Sequence, residues 1–305
     1  MPLLALLLIA DLAVAKPLTV VTTIPDLAAI ATAVGGDAVK AESIGKGTQD
    51  PHFVDAKPSL LLKLSRADCL IEVGLDLETG WLPSLVRSAR NARILPGQPG
   101  LVDASAGIRV LEKPEGTVSR TQGDVHPYGN PHYWLDPANG AVIARNIERG
   151  LAGVDGTHAE MFRKNREAFE AALAARMAGW VARMAPWKGT EVVAYHRSWI
   201  YFADRFGLVM REEIEPKPGI PPSPGHTLEI IRAIDQRRIP LIIEESFFDP
   251  AAAREIARRT GASLLELPSL VGGATGVTDT LTLFETLTRR IADTLAARRP
   301  SGSPS

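Results

Sequence analysis

The feature that most restricts the fold is an amphipathic stretch at the middle of the chain, residues 157–186, reading THAEMFRKNREAFEAALAARMAGWVARMAP. Phe162, Phe169, Leu173, Met177, Trp180 and Met184 recur at steps of three, four or seven, whereas Arg163, Lys164, Glu167, Glu170 and Arg183 fall off that stripe. Such spacing predicts one continuous helix. At 1.5 Å per residue it would be roughly 45 Å long, longer than a small domain is wide. Strands alternate with helices both before and after it. The chain is therefore expected to be an α/β protein of two lobes, each a parallel β-sheet flanked by helices, joined by one long rigid helix.

In the first lobe the β-branched run LTVVTT is followed by Ile24-Pro25 and a helix from Asp26 to Gly35-Gly36. A strand near 39–44, the loop GKGTQDPHFVDA, a helix from Pro58 and the strand CLIEVG come next. Strand-like pieces are expected at 92–95 and 108–111, then a long polar loop over 112–129 and a helix from about Pro137. The second lobe opens with TEVVAY running into His196, a helix over 199–206 and a strand near 208–214. Ser223 as cap and Pro224 in the first turn open a helix to Arg237. Strand PLIIEE, a helix over 250–260, strand SLLELP and a last helix from about Thr278 complete it. The glycine loop VGGATG lacks the Lys-Ser/Thr of a phosphate-binding loop and reads as a turn.

The first residues carry a short apolar core, Leu3 to Ala10, and a small-x-small site at Ala13-Val14-Ala15. That pattern resembles a secretory signal, too short to span a bilayer. The expected divisions are a signal peptide over 1–15, an N-terminal lobe over 16–156, the linking helix over 157–187, a C-terminal lobe over 188–297 and a disordered tail over 298–305. Charge is nearly balanced, 34 basic against 35 acidic residues, which gives no reason to expect a nucleic-acid partner. A single cysteine, Cys69, rules out a thiolate metal cluster and is expected to be a buried strand residue.

In open parallel sheets, ligands bind beyond the carboxyl ends of the strands. His52 follows the second strand, His132 precedes a helix and His196 directly follows a strand, so all three are expected at that kind of edge. Taken singly, each reads as an ordinary hydrogen-bonded or exposed histidine. Taken together they suit Zn²⁺, with a fourth position for a carboxylate or water. Prolines precede two of them, in Asp50-Pro51-His52 and Asn130-Pro131-His132, and stiffen the backbone there. Trp134, Trp199, Tyr195 and Phe53 adjoin these histidines and are expected to wall the site. His126 reads as a loop residue, with an auxiliary ligand as the alternative, and His158 and His226 read as surface.

The segments DPHFVDAKPS, NPHYWLDP, VVAYHRSWIYFADRFGL, PSPGH and IIEESFFDP resemble the zinc/manganese class of solute-binding proteins that serve bacterial ABC importers. The resemblance runs in order through nearly the whole chain beyond the leader. It implies an exported, soluble periplasmic receptor, a monomer and no enzyme, that holds a metal ion between its lobes. It also implies delivery to the membrane permease and ATPase of a metal importer. The first three ligands of that class match His52, His132 and His196. Many members carry an aspartate shortly after the last strand, where this chain has Leu267-Pro268-Ser269-Leu270. Glu245, at the end of PLIIEE, is the first substitute, Asp279 the second and water the third. Three nitrogens and at most one carboxylate favour Zn²⁺, with Mn²⁺ as the alternative. A three-histidine zinc hydrolase and a metal-binding adhesin are the rival functions.

Overall fold

Eight strands among the described residues form two four-stranded sheets, and every pairing in them is parallel. The computed structural model describes residues 16–114, 116, 126–217 and 219–298. The expected leader, most of the tail and the centre of the polar loop lie outside them. Arg298, counted with the tail, donates to the Gly261 carbonyl.

The first lobe contains β1 (Leu18–Thr22), α1 (Pro25–Gly35), β2 (Val39–Ser43), α2 (Pro58–Arg66), β3 (Cys69–Glu72), α3 (Leu82–Ala89), β4 (Leu101–Asp103) and α4 (Asn139–Val154). Its strand order is β2-β1-β3-β4. The expected strand at 92–95 is a short 3-10 turn, Ala92–Ile94, and no strand forms at 108–111. The fourth strand is Leu101–Asp103, which pairs Leu70–Glu72 in β3. At three residues it is too short for its alternation to stand out from the surrounding loop. Pro25, Pro58 and Leu82-Pro83 open their helices, where a missing N–H costs nothing.

The linking helix is α5, Ala159–Met184, extended by 3-10 turns at both ends. Its 26 residues span roughly 39 Å. Phe162, Leu173, Trp180 and Met184 are buried along it, with Phe169 and Met177 packed beside them. On the outer face Arg163 pairs with Glu160 and Glu167. Gly140 in α4 leaves room for this packing, since a Cβ there would stand 3.1 Å from Leu173.

The second lobe holds β5 (Glu191–Ala194), α6 (Ile200–Phe206), β6 (Val209–Glu213), α7 (Pro224–Arg237), β7 (Leu241–Glu245), α8 (Ala251–Thr260), β8 (Ser263–Leu267) and α9 (Thr280–Ala296), in the order β6-β5-β7-β8. Ser223 caps α7 as the sequence predicts, its hydroxyl accepting from the His226 amide. Successive strand residues alternate between cores. Val192, Ala194, Leu241 and Ile243 join the central core that includes α5. Val193 and Ile242 face a separate core under α7 and α8. The first sheet behaves alike, with Val20 and Ile71 in the central core and Val21 and Leu70 under α2 and α3. Both faces of both sheets are thus covered, as parallel sheets require. One continuous apolar core joins the lobes to the helix between them, which leaves the strand ends to carry polar chemistry.

Candidate metal centre

The carboxyl ends of the strands deliver the predicted histidines to one point. His52 lies in the loop after β2. His132 begins the 3-10 turn Tyr133–Leu135, and His196 directly follows β5. The loop carrying His52 also touches the second lobe: a Cβ on Gly47 would stand 2.2 Å from the Val271 carbonyl, so only glycine fits. One ring nitrogen from each histidine lies within 4.8 Å of the other two. Their ring centroids stand 5.1–5.3 Å apart. His132 and His196 are buried and His52 nearly so.

Each ring is held from behind. His52 Nδ1 bonds Asp50 Oδ1 at 2.8 Å, His132 Nδ1 bonds Asn130 Oδ1 at 2.9 Å, and His196 Nδ1 bonds Glu215 Oε2 at 2.7 Å. Asn130 cannot be turned over, because its Nδ2 donates to Glu112 Oε2 and to the Arg197 carbonyl. Its Oδ1 is therefore an acceptor and His132 Nδ1 the donor. The two carboxylates impose the same tautomer on His52 and His196, leaving Nε2 of all three with a free lone pair. This arrangement orients metal-binding imidazoles and raises their basicity. Asp50, Asn130 and Glu215 were not singled out from the sequence. The first two stand two residues before their histidines, a spacing visible in DPH and NPH. Glu215 lies beyond the end of β6 and carried no local signal.

Electrostatics follow from crowding. Burial, with the neighbouring histidine charges, pushes the His132 pKa well below its ordinary value. Burial also lowers His196, but the Glu215 hydrogen bond and the Glu245 and Glu215 charges outweigh it and raise the net value. Burial opposes Asp50, yet its bond to His52 holds that carboxyl below the usual range.

His126, read as a loop residue with an auxiliary ligand as the alternative, lies outside any helix or strand and beside the cluster. Its Nε2 lies 3.2 Å from His52 Nε2, and burial pushes its pKa down to about 3. Glu245 is fully buried, and burial raises it to about 7. Its Oε1 accepts from the Ser198 hydroxyl, while Oε2 is buried without a hydrogen-bond partner, and the His196 charge partly offsets the effect of burial. It stands outside the group whose ligand atoms all lie within 4.8 Å. Asp279 is occupied elsewhere, as the cap of α9, its Oδ1 accepting from the Thr282 amide at 2.8 Å. Of the expected wall, Trp134 lies 5.2 Å from His132 and Tyr195 stacks on Phe248. Phe53 is 56% exposed, and Trp199 packs against Phe202. Phe247 and Phe248 close the site instead.

The space between the rings is about 10 Å³. That is about one water-sized sphere, too little for an organic substrate. A larger cavity of about 940 Å³ opens past Glu72 and Asp103, and none of the three histidines lines it. Cys69 takes no part, its thiol buried and pushed up to about 12. No helix among the described residues is long and apolar enough to cross a membrane.

Comparison with known proteins agrees with this geometry. Residues 20–296 match the family model described as ZnuA, the periplasmic component A of a zinc-uptake complex. The iron-binding protein YfeA of Yersinia pestis is 29% identical over 85% of this chain and 80% of its own length. The manganese ABC transporter substrate-binding lipoprotein PsaA of Streptococcus pneumoniae is 26% identical over 79% of this chain and 76% of its own. A crystal structure of a zinc-bound ZnuA with residues 138–173 deleted superposes with a TM-score of 0.76 and 25% identity, covering 92% of this chain and 98% of that one. With a family model matched over almost the whole described chain, this protein belongs to the ZnuA family.

Proposed function

We propose that the protein is a periplasmic receptor that captures one divalent transition metal ion, zinc in the first instance, between its lobes. It delivers the ion to the permease and ATPase of an ABC importer. The observation that carries this reading is the convergence of His52, His132 and His196 with every Nδ1 engaged. Three preset nitrogen donors suit Zn²⁺ better than Mn²⁺, which favours a larger share of oxygen ligands. Glu245 supplies the anionic fourth group, with its unpartnered oxygen and its charge coupled to that of His196. The named relatives are described as binding iron or manganese, so the choice of metal is tested directly.

Calorimetric titration of metal-stripped protein with Zn²⁺, Mn²⁺ and Fe²⁺ is expected to show one tight site per chain, tightest for zinc. His196→Ala is expected to weaken zinc by orders of magnitude. His158→Ala is expected to leave it unchanged, because His158 bonds Asp155 at the start of the linking helix. Absence of tight binding, or two equal sites, overturns the reading. The small space between the rings, about 10 Å³, favours this receptor reading over the hydrolase alternative.

A further inference from the structure

Glu112 and Arg197 come from opposite halves of the chain and meet beside the histidines. Arg197 Nε reaches both Glu112 oxygens, at 2.8 and 2.9 Å, and its Nη2 also bonds Oε1. The remaining guanidinium nitrogen bonds Glu213 at the end of β6. Arg197 immediately follows His196. Glu112 Oε2 also accepts from Nδ2 of Asn130 at 3.1 Å, and the same Nδ2 donates to the Arg197 carbonyl at 2.8 Å. Asn130 is the side chain that orients His132. A closed ring of hydrogen bonds therefore runs from the orienting group of one histidine to the residue adjoining another.

Two further observations give Glu112 a task beyond surface charge. Its φ is +54°, in the left-handed region that a non-glycine residue rarely adopts. The backbone is bent there to bring the carboxylate to Asn130 and Arg197. The neighbouring residues are anchored to the second lobe as well: the Leu111 amide donates to Tyr201 Oη at 3.0 Å, and Tyr201 Oη donates to the Asn130 carbonyl at 2.8 Å. With Arg197 half exposed, the ion pair adds little to overall stability. Its effect is local, on how far His132 and His196 can part.

We propose, resting on the metal-receptor reading above, that Glu112 is a positioning residue that ties His132 to His196 and so slows release of the bound metal. Release requires ligands from the two lobes to separate, and the tie resists that separation. Capture passes through the same parted arrangement in reverse, and the tie is formed without metal, so Glu112 slows exchange in both directions and hardly alters the affinity.

The test uses the full chain loaded with zinc and mixed with excess chelator in a stopped-flow instrument. Glu112→Gln removes the charge, and Glu112→Asn does so with a residue that tolerates the left-handed backbone. Both variants are expected to release zinc about tenfold faster, as the loss of one partly exposed charge-assisted contact implies. The equilibrium zinc affinity is expected to stay within about twofold, and the metal-free unfolding midpoint within a few degrees, of wild type. Glu112→Gln combined with Arg197→Gln is expected to release zinc no more than about twofold faster than Arg197→Gln alone. Wild-type release rates in both Glu112 variants, association slowed as much as release is accelerated, or full additivity in the double variant would overturn the proposal. A wild-type protein that binds no zinc would instead overturn the receptor reading, and the titration shows this before any variant is made.

Discussion

His196 Nδ1 and Glu215 Oε2 lie 2.7 Å apart across the ends of two neighbouring parallel strands, and both side chains are buried. That bond decides which nitrogen of His196 faces the other two rings. It also offsets the burial that would otherwise depress the basicity of His196.

Glu215→Gln is therefore expected to keep the ring oriented, since an amide oxygen still accepts from Nδ1–H, while removing the charge. Zinc affinity should fall by about 10–100-fold, the usual range for loss of such a partner. Glu215→Leu, which removes the acceptor too, should fall further. Competition with a chelating dye measures both, and equal wild-type affinity in the two variants would refute the assignment.

Acid and base act oppositely on the metal-free and the loaded protein. Asp26, Glu78 and Glu245 are each pushed up to about 7 by burial. The folded state thus holds protons that the unfolded chain has released, and the stability these groups contribute is lost as pH rises through about 7. His126 and His132 are depressed, so their contribution is present above the ordinary histidine value and lost as pH falls below about 6.5. The three carboxylates outnumber the two histidines, so the metal-free unfolding midpoint is expected to fall by about 5 °C as pH rises from about 5 to 7 and to level off above that. Zinc requires neutral imidazoles, so affinity should be full above neutrality and drop below about pH 6. Thermal unfolding with and without zinc across this range checks both signs. A metal-free midpoint highest at pH 8 would contradict the buried carboxylates.

Glu245 and Asp279 separate cleanly. Glu245→Gln is expected to keep the bond to Ser198 and lose the charge coupled to that of His196, weakening zinc by about tenfold or more. Asp279→Asn touches only a helix cap, so it should cost less than about 1 kcal/mol of stability and leave zinc unaltered. Isothermal titration of both variants in one buffer is the measurement. Equal, near-wild-type affinities would remove Glu245 from the site.

Leu173 is the interior of the linking helix and packs against Gly140 of α4. Leu173→Ala is expected to destabilise the protein by about 2–5 kcal/mol through the cavity it leaves. Because the site lies at the strand ends, zinc affinity at 25 °C should change by less than about twofold. Chemical unfolding of the metal-free protein, paired with titration, tests whether helix and site are energetically separate.

The sequence alone was sufficient for the linking helix and for the two parallel sheets, because both are periodic. The 3.6-residue stripe from Phe162 to Met184 and the apolar runs VVAY and LIIE repeat one instruction over many residues. It also marked His52, His132 and His196, since one follows a strand in a loop, one precedes a helix and one directly follows a strand. It misplaced the fourth strand, where three residues hold too little pattern, and it held no sign that His126 lies beside His52, 74 residues away. The groups that fix the tautomers were beyond its reach. That Glu215 meets His196 depends on the order of β6 beside β5 and on a register shift between Val192 and Val193. Glu112 reaches Arg197 only because two lobes are held by one core. Those distances are set by packing between segments remote in the chain, and only the tertiary structure contains them.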